Sequence, residues 1–308
     1  MTPLLLALPG GERLTGRLSR QLRGAPGTLA IHRFPDDEIR VRISGVAAGR
    51  TVVLVGSLDR PDHKILPLVF AAATAREMGA TSVGLVAPYL AYLRQDAAFR
   101  PGEAVSARHF ARLLSDAVSW LVTVDPHLHR IHDLGELFSI RTETVHTAPL
   151  LARWIRDQVR RPVIMGPDAE SAQWVEQVAT RVGAPWVTLA KRRRGDHTVE
   201  LSLPSMPGLQ GLQPVLVDDI VSSGETMLAA TRLLLAAGFA RPKLVAVHAV
   251  GAAGTTESFD PTGDLELVTC NTIEHPTNRI DVTGAILTAV AHQLRLDARG
   301  APDPAGVR

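Results

Sequence analysis

The residues with the clearest chemical potential lie in one segment, Val215 to Met227. An apolar, strand-like run ends there in Asp218 and Asp219, and a turn of small residues leads into a helix-like run that opens at Thr226. A strand, a turn rich in backbone N–H groups and a helix N-terminus form a cradle for an anion. Adjacent strand residues point to opposite faces, so one acid meets a sugar hydroxyl and the other a second hydroxyl or a metal-held water. The pattern predicts a ribose 5-phosphate site; the plainer alternative is a strand-to-helix turn with solvated acids and a serine cap.

A second segment, Lys191 to Asp196, carries four consecutive cations after an apolar, strand-like run. Phosphoryl and diphosphoryl transfer depend on neutralising the charge of the transferring oxygens and need little covalent help from the protein. Lysine supplies a compact charge for this purpose, and arginine supplies a two-pronged donor. The segment therefore fits a loop that folds over a polyphosphate. A solvated loop and a nucleic-acid contact are the two ordinary alternatives.

Two segments of the N-terminal half place polar side chains in turns. The first, Arg33 to Val41, forms a hairpin tip that by itself indicates no more than a turn. Its tip carries an aromatic ring and two carboxylates: Phe34, Asp36 and Glu38. The second, Pro88 to Asp96, follows a buried strand, where the loops of α/β folds carry function. Arg94 there is placed to face a phosphate and Gln95 to read a base edge; a surface Arg–Asp pair is the structural alternative.

A further polar group follows a strand-like run at Asp125 and His127. Histidine is a frequent metal ligand, but the spacing of the histidines here does not fit zinc and no thiolate accompanies them. A hard cation held by one imidazole, carboxylates and substrate oxygens fits better, because Mg²⁺ usually keeps waters and phosphate ligands. The expected metal is therefore Mg²⁺.

Strand-like and helix-like runs alternate along the whole chain, which is typical of a parallel sheet covered by helices on both faces. Apolar strands ending in polar clusters recur in both halves, and ligands of open α/β sheets bind beyond the carboxyl ends of strands. We therefore predict an α/β fold of two similar domains, residues 1–145 and 146–295. Residues 296–308, rich in Gly, Pro and Ala, are predicted to be a disordered tail.

Composition narrows the functional classes. The 308 residues are enough for two domains of ordinary size. Lysine and arginine number 33 against 31 acids, and the net charge of +2 is too small to indicate a nucleic-acid partner. No apolar run approaches the roughly 20 residues that span a bilayer, so we expect no membrane partner. A single cysteine, Cys270, suits a reducing cytoplasm.

Taken in order, these segments resemble the ribose-phosphate diphosphokinase (PRPP synthetase) family over residues 3 to 295. Val215 to Met227 is similar to the PRPP-binding motif of the type I phosphoribosyltransferase fold, and Arg33 to Glu38 to the family's Arg-Phe-x-Asp-Gly-Glu hairpin. Pro88 to Asp96 resembles its Pro-Tyr-x-x-Tyr-x-Arg-Gln-Asp motif. The remaining matches are shorter: Val124 to His127, Gly166 to Asp168, and the catalytic-loop Lys-Arg-Arg at Lys191 to Arg193.

The resemblance implies two type I phosphoribosyltransferase-like domains, each a mostly parallel sheet flanked by helices. It implies transfer of the β,γ-diphosphate of ATP to the 1-hydroxyl of ribose 5-phosphate with Mg²⁺, which gives PRPP and AMP. A homo-oligomer, either a dimer or a hexamer built from dimers, is the expected assembly.

The resemblance also implies roles for individual residues. ATP contacts are expected at Phe34, Asp36, Glu38, Arg94, Gln95 and Asp96. Ribose 5-phosphate contacts are expected at Asp218, Asp219, Ser222, Ser223, Gly224 and Thr226. The transition-state cations are expected to be Lys191 and Arg193, and the metal ligands His127, Asp168 and Asp125.

Several positions depart from the family pattern. The family's Gly-Gly-x-x-Arg after the equivalent of Asp168 is replaced here by Ala169 to Gln173, and Glu225 stands where Gly or Ala is commoner. A carboxylate at Glu225 has to point away from the 5-phosphate. Two alternatives therefore stay open, a regulatory homologue without activity and a phosphoribosyltransferase that consumes PRPP. The ATP-like hairpin favours synthesis over consumption.

Overall fold

The computed structural model describes residues 2–98, 100–128, 130–194, 198–203, 208–251 and 265–300, without the side chains of 170, 191–194 and 198–201. The chain divides into two compact units. The first consists of Met1–Val145 together with Thr283–Arg308, and the second of His146–Val282. Each unit is built on one parallel sheet.

The sheet of the first unit has five parallel strands. They are β1 (Leu4–Ala7), β4 (Thr51–Val55), β5 (Ser82–Ala87), β6 (Trp120–Val124) and β7 (Arg141–Val145), in that spatial order. A separate antiparallel hairpin is formed by β2 (Thr28–Arg33) and β3 (Ile39–Ser44). The strands β4 and β6 are buried along their whole length, as continuous apolar runs of central parallel strands require.

Four helices accompany this sheet. They are α1 (Glu12–Leu22), α2 (Asp62–Glu77), α3 (Ser106–Ala117) and the C-terminal α7 (Thr283–Ala298). The helix α2 packs on β4, β5 and α3, whereas α7 packs on α1, β6 and β7. The sequence had assigned residues up to 295 to the second domain, but α7 contacts the first sheet. The helix also continues to Ala298, into the segment predicted to be a disordered tail; residues 301–308 lie outside the described part of the chain.

The second unit contains a six-stranded parallel sheet. Its strands are β8 (Pro162–Gly166), β9 (Trp186–Thr188), β12 (Gln213–Val221), β13 (Lys243–Ala249), β14 (Leu267–Cys270) and β15 (Asn278–Ile280). Their spatial order is β15-β14-β13-β12-β8-β9. The helices in its described residues are α4 (Ala148–Gln158), α5 (Ala172–Val182) and α6 (Glu225–Ala236). The strands β10 (Ala190–Arg194) and β11 (Thr198–Ser202) form a separate antiparallel ribbon.

Sequence and structure differ most where pairing with a neighbour decides the strand. The acids Asp218 and Asp219 were predicted to follow a strand that ends at Val217, but β12 continues to Val221 because it stays paired with β13 up to Ala249. The cationic segment, predicted as a loop, forms β10. The short strands β7 and β15 were not predicted. Among the described helices, none is both long and apolar enough to cross a bilayer.

A buried ion pair ties α7 to the amino ends of the first sheet. Asp297 at the end of α7 forms a salt bridge with Arg141 of β7, and the two side chains are 10% and 18% exposed. The same carboxylate accepts hydrogen bonds from Thr51 Oγ1 and Trp120 Nε1, both at 3.0 Å. Trp120 in turn lies across Gly84, where a Cβ would stand 2.1 Å from its ring. One carboxylate therefore links three strands to the last helix.

The substitution Asp297→Ala is expected to destabilise the first unit by about 3 kcal/mol, because it leaves the buried Arg141 guanidinium without its counter-charge. Thermal unfolding measures the loss. The matched control is Asp157→Ala, which breaks the exposed Arg153–Asp157 pair of α4 (77% and 61% exposed) and is expected to cost under about 1 kcal/mol. Equal losses in the two variants would contradict a structural role for Asp297.

Candidate functional site

The acid pair lies in the carboxyl half of β12, at the centre of the second sheet. Asp218 lies opposite Ala246 of β13, and Ile220 opposite His248. The charge of Asp219 is one of the influences on Asp218, so the two carboxyl groups lie near each other. Asp218 Oδ1 accepts a hydrogen bond from the backbone N–H of Asp219 at 3.0 Å. Both acids therefore belong to the carboxyl half of one strand, and the separate ligands predicted for them stay a prediction.

Asp168 lies just beyond the neighbouring strand β8. Its Oδ1 accepts from the backbone N–H of Ser171 at 3.2 Å, while the Ser171 hydroxyl donates to the Asp168 carbonyl at 2.7 Å. A Cβ at Gly166 would stand 2.2 Å from Ser171 Oγ, so only glycine lets this turn fold against the strand end. The turn therefore holds Asp168 at the carboxyl end of β8.

Asp168 and Asp218 meet at the point where the chain order of the sheet reverses. From β8 the chain continues outward to β9, and it later returns to the other side of β8 as β12. Ligands of open α/β sheets bind in the crevice at such a switch point. Burial, followed by the charges of Asp219 and Asp168, raises the pKa of Asp218 well above its usual value. The crevice is thus an acid-lined site that favours hydroxyl or cation partners.

The turn after β12 leads directly into α6. Gly224 has a φ of 77°, a left-handed conformation that favours glycine. Within the described part of the chain, no side chain caps the first turn of α6, so its backbone N–H groups are available to an anion. Ser222 is half-buried, whereas Ser223, Glu225 and Thr226 are exposed. The predicted phosphate residues are therefore brought together in one turn.

Lys191 and Arg193 lie in β10, paired with β11. The register sets Lys191 opposite Leu201 and Arg193 opposite Val199. Their side chains, and residues 195–197, lie outside the described part of the chain. The role predicted for both cations stays a prediction.

In the first unit, the hairpin tip between β2 and β3 exposes an aromatic ring. Phe34 is 37% exposed; the His32 ring meets it edge-on with centroids 4.7 Å apart, and the Arg40 guanidinium lies 5.9 Å from its centroid. Asp36 Oδ1 accepts from the Glu38 backbone N–H at 3.2 Å. Asp36 and Glu38 are both exposed. The tip therefore exposes part of this ring together with Asp36 and Glu38, and the contact with a base stays a prediction.

The loop after β5 carries the three residues predicted from the second N-terminal motif. Arg94 is exposed, and Gln95 accepts at its Oε1 from the Ser106 hydroxyl at 3.3 Å. The Asp96 side chain is only 6% exposed and forms a 2.8 Å salt bridge with Arg130. Arg94 is therefore accessible to solvent, whereas the Asp96 carboxylate is already paired with Arg130.

Two partners of this loop had not been predicted. Arg130 pairs with Asp96, and Asp62 at the start of α2 accepts a hydrogen bond from the Tyr92 hydroxyl. This hydrogen bond raises the pKa of Tyr92, and burial adds to the shift. Neither Arg130 nor Asp62 belongs to a sequence motif. Their contacts with the loop become visible only in the folded structure.

The predicted metal ligands divide between the two units. Asp125 and His127 follow β6 in the first unit; Asp125 is 8% exposed with a φ of 31°, and His127 is half-buried. Asp168 belongs to the second unit. Among the residues whose side chains are described, no three His, Cys, Asp or Glu side chains lie close enough together to hold a metal ion.

The raised pKa of Asp218 predicts a pH-dependent stability. Between the ordinary pKa of aspartate and the raised value, the unfolded chain has lost a proton that the folded chain keeps, so stability falls as pH rises. Asp218→Asn removes this loss and can still accept the hydrogen bond from Asp219. We expect the variant to melt at a higher temperature than the wild type at pH 8, with a smaller difference at pH 5. Glu225→Gln, which neutralises an exposed carboxylate, is the control; the same pH trend in that variant would contradict the explanation.

Comparison with known proteins agrees with this geometry. Residues 4–117 match the family model described as the N-terminal domain of ribose phosphate pyrophosphokinase, another name for the diphosphokinase. Residues 136–282 match the model of the phosphoribosyl transferase domain. Across the whole chain, the crystal structure of phosphoribosylpyrophosphate synthetase from Mycobacterium smegmatis superposes with a TM-score of 0.81 at 21% identity, covering 98% of this chain and 100% of that one. The predicted fold is thereby confirmed.

Relatives found by sequence share a larger fraction of identical residues with this chain than that crystal structure does. The ribose-phosphate pyrophosphokinase of Methanopyrus kandleri is 31% identical over 292 residues, 93% of this chain and 98% of the relative. The enzyme of the same name from Saccharolobus solfataricus is 33% identical over 245 residues, 78% of this chain and 82% of the relative. With matches of this extent in both halves, the chain belongs to the ribose-phosphate pyrophosphokinase family.

Proposed function

We propose that this protein transfers the β,γ-diphosphate of ATP to the 1-hydroxyl of ribose 5-phosphate and releases PRPP and AMP. One observation carries the proposal: an uncapped helix N-terminus and three carboxylates meet at the switch point of the second sheet. They do so in a chain whose first 117 residues contain the N-terminal domain of this family. A transferase that consumes PRPP has no use for that domain.

The ribose 5-phosphate binds in the second unit. Its phosphate accepts hydrogen bonds from the turn formed by Ser222, Ser223, Gly224 and Thr226, and its hydroxyls bind Asp218 and Asp219. The backbone donors need no reorganisation, because no described side chain occupies them. The raised pKa of Asp218 favours a carboxyl group that shares a proton or a positive charge with its ligand.

The ATP binds to residues of the first unit. The exposed face of Phe34 stacks on the adenine, Asp36 and Glu38 accept from its amino group, and Arg94 and Gln95 contact the nucleotide. The 1-hydroxyl of the sugar attacks the β-phosphorus, and the bond from that phosphorus to the oxygen bridging the α- and β-phosphates breaks. AMP leaves with the bridging oxygen. Lys191 and Arg193 neutralise the diphosphate oxygens as this charge develops.

The residues present fit a Mg²⁺ ion that completes its coordination with substrate oxygens. Mg²⁺ usually takes one or two carboxylates, with phosphates and waters filling the other positions. Asp168 is the proposed ligand of such an ion in the second unit, and Asp125 with His127 are the proposed ligands of one in the first; no described trio forms a closed cage. When bound, the ion neutralises the charge of the ATP phosphates. The protein's own part is to hold these side chains at the strand ends.

We also propose a cytoplasmic homo-oligomer, either a dimer or a hexamer built from dimers. Leu66 and Phe70 lie one turn apart on α2 and are 55% and 43% exposed, which supports an interface on that helix. Light scattering on the purified protein measures the assembly.

A direct assay tests the proposed reaction. Purified protein is incubated with ATP, Mg²⁺ and ribose 5-phosphate, and AMP is measured. AMP that forms only in the presence of the sugar phosphate supports synthesis. ATP binding without AMP formation would instead favour a regulatory homologue.

Lys191→Ala is expected to lower kcat by at least about 100-fold, because it removes one preorganised cation from the transferring diphosphate. Arg192→Ala is the matched control, since the family resemblance gives that neighbouring cation no role. Near-normal turnover of the Lys191 variant would remove the assignment.

Glu225→Gln is expected to lower KM for ribose 5-phosphate about threefold at low ionic strength, because it removes a like charge from the first turn of α6. The effect should fade in about 1 M salt, where exposed charges are screened. Glu12→Gln, which removes an exposed acid from the first turn of α1, should leave KM unchanged. A rise in KM for the Glu225 variant would show that the carboxylate binds the substrate.

A further inference from the structure

The carboxylate of Asp96 is enclosed by protein. Its Oδ1 accepts from Arg130 Nη1 at 2.8 Å, and its Oδ2 accepts from the backbone N–H of Arg130 at 3.2 Å. The side chain is 6% exposed, whereas that of Arg130 is 60% exposed. Both carboxylate oxygens therefore accept hydrogen bonds from Arg130, and little of the carboxylate surface remains accessible to a ligand.

This pair joins two segments that are adjacent in space and distant in sequence. Asp96 lies in the loop between β5 and α3, and Arg130 lies three residues after His127 in the segment that follows β6. The strands β5 and β6 are parallel neighbours, so both segments leave the same edge of the sheet. A backbone hydrogen bond from Val124 N–H to the Pro88 carbonyl, at 3.3 Å, joins the two segments at their start. The Asp96–Arg130 pair connects them again farther along.

The loop after β5 is fixed at two further positions. Tyr92, with a φ of 63°, donates its hydroxyl to Asp62. Gln95 accepts from Ser106 with its side chain and from the N–H of Ala107 with its carbonyl, the latter at 3.2 Å. Arg94 lies between these anchors and is exposed. The anchors around it therefore limit how far its backbone moves.

We propose that Asp96 is a positioning residue for the nucleotide and not one of its contacts. Through Arg130 it holds the segment that carries His127 in register with the loop that carries Arg94. A carboxylate that faced the ATP phosphates directly would repel them. A buried carboxylate paired with Arg130 instead orients the two segments that carry His127 and Arg94. This inference rests on the proposed function, in which the first unit binds ATP.

A double-mutant cycle tests the pair. Asp96→Asn, Arg130→Met and the double variant are compared with wild type by calorimetric titration of ATP with Mg²⁺ in the absence of ribose 5-phosphate. KM for both substrates follows from the AMP assay. Each single variant is expected to raise the ATP dissociation constant about 10-fold, as losses of supporting residues commonly do. The double variant is expected to be no weaker than the singles, because all three break the same link. KM for ribose 5-phosphate should stay within about twofold.

Asp297→Ala is the matched control, since it breaks another largely buried ion pair of the same unit at the opposite ends of the strands. It should lower the melting temperature without weakening ATP binding. Three results would overturn the proposal. The first is weaker ATP binding by the Asp96 variant with unchanged binding by the Arg130 variant, and the second is additive losses of ATP affinity in the double variant. The third is an equal loss of ATP affinity in Asp297→Ala. Wild type that binds ATP but forms no AMP removes the proposed reaction and leaves this test intact. Wild type that binds no ATP removes both.

Discussion

The electrostatics of the second unit depend on one constraint, the parallel pairing of β12 with β8 and β13. That pairing places Asp218 near Asp168 at the carboxyl end of the sheet. Burial, the charge of Asp219 and that of Asp168 all disfavour the charged form of Asp218 and raise its pKa. A hydroxyl or a cation that binds this carboxyl group would offset part of that cost.

In the first unit, the candidate ligand contacts include the exposed side chains of Phe34 and Arg94. Rotation about their side-chain bonds would leave such side chains without a fixed orientation in solvent. Hydrogen bonds made by neighbouring residues hold the backbone around these side chains in place. The hairpin tip is closed by the backbone hydrogen bond from Phe34 to Glu38 at 2.8 Å, and the Arg94 loop by its links to Asp62, Ser106 and Arg130. The placement of the candidate contacts in this unit therefore depends on polar contacts made by their neighbours.

Much of the fold was predictable because apolar periodicity is local. The apolar pattern within α1, β4, β5, β6 and α4 is enough to indicate whether each is a helix or a strand. Strands that rely on partners were not predictable in this way. The strand β7 has only one buried residue, Val145, and β12 runs through two carboxylates because β13 continues beside it. The docking of α7 on the first sheet depends on a distant arginine, Arg141, which no pattern near α7 indicates.

The same distinction separates the parts of the site. A motif identifies Asp218, Asp219 and the turn after them, since their spacing alone places them at a strand end and a helix start. It cannot tell whether a matched residue meets a ligand or supports one that does. Asp96 shows the difference, because its motif grouped it with Arg94 and Gln95 while its carboxylate is occupied by Arg130.

Glu225 adds a point about charge. On the proposed function, the acids of the crevice repel the phosphate of the sugar, so its affinity would have to come from the N–H groups of α6. A carboxylate in the first turn of that helix weakens this attraction, yet it also stabilises the helix by interacting with its positive end. Because Glu225 is exposed, solvent reduces both effects. The residue therefore stabilises the start of α6 when no phosphate is bound, and it does so without closing the turn that the phosphate enters.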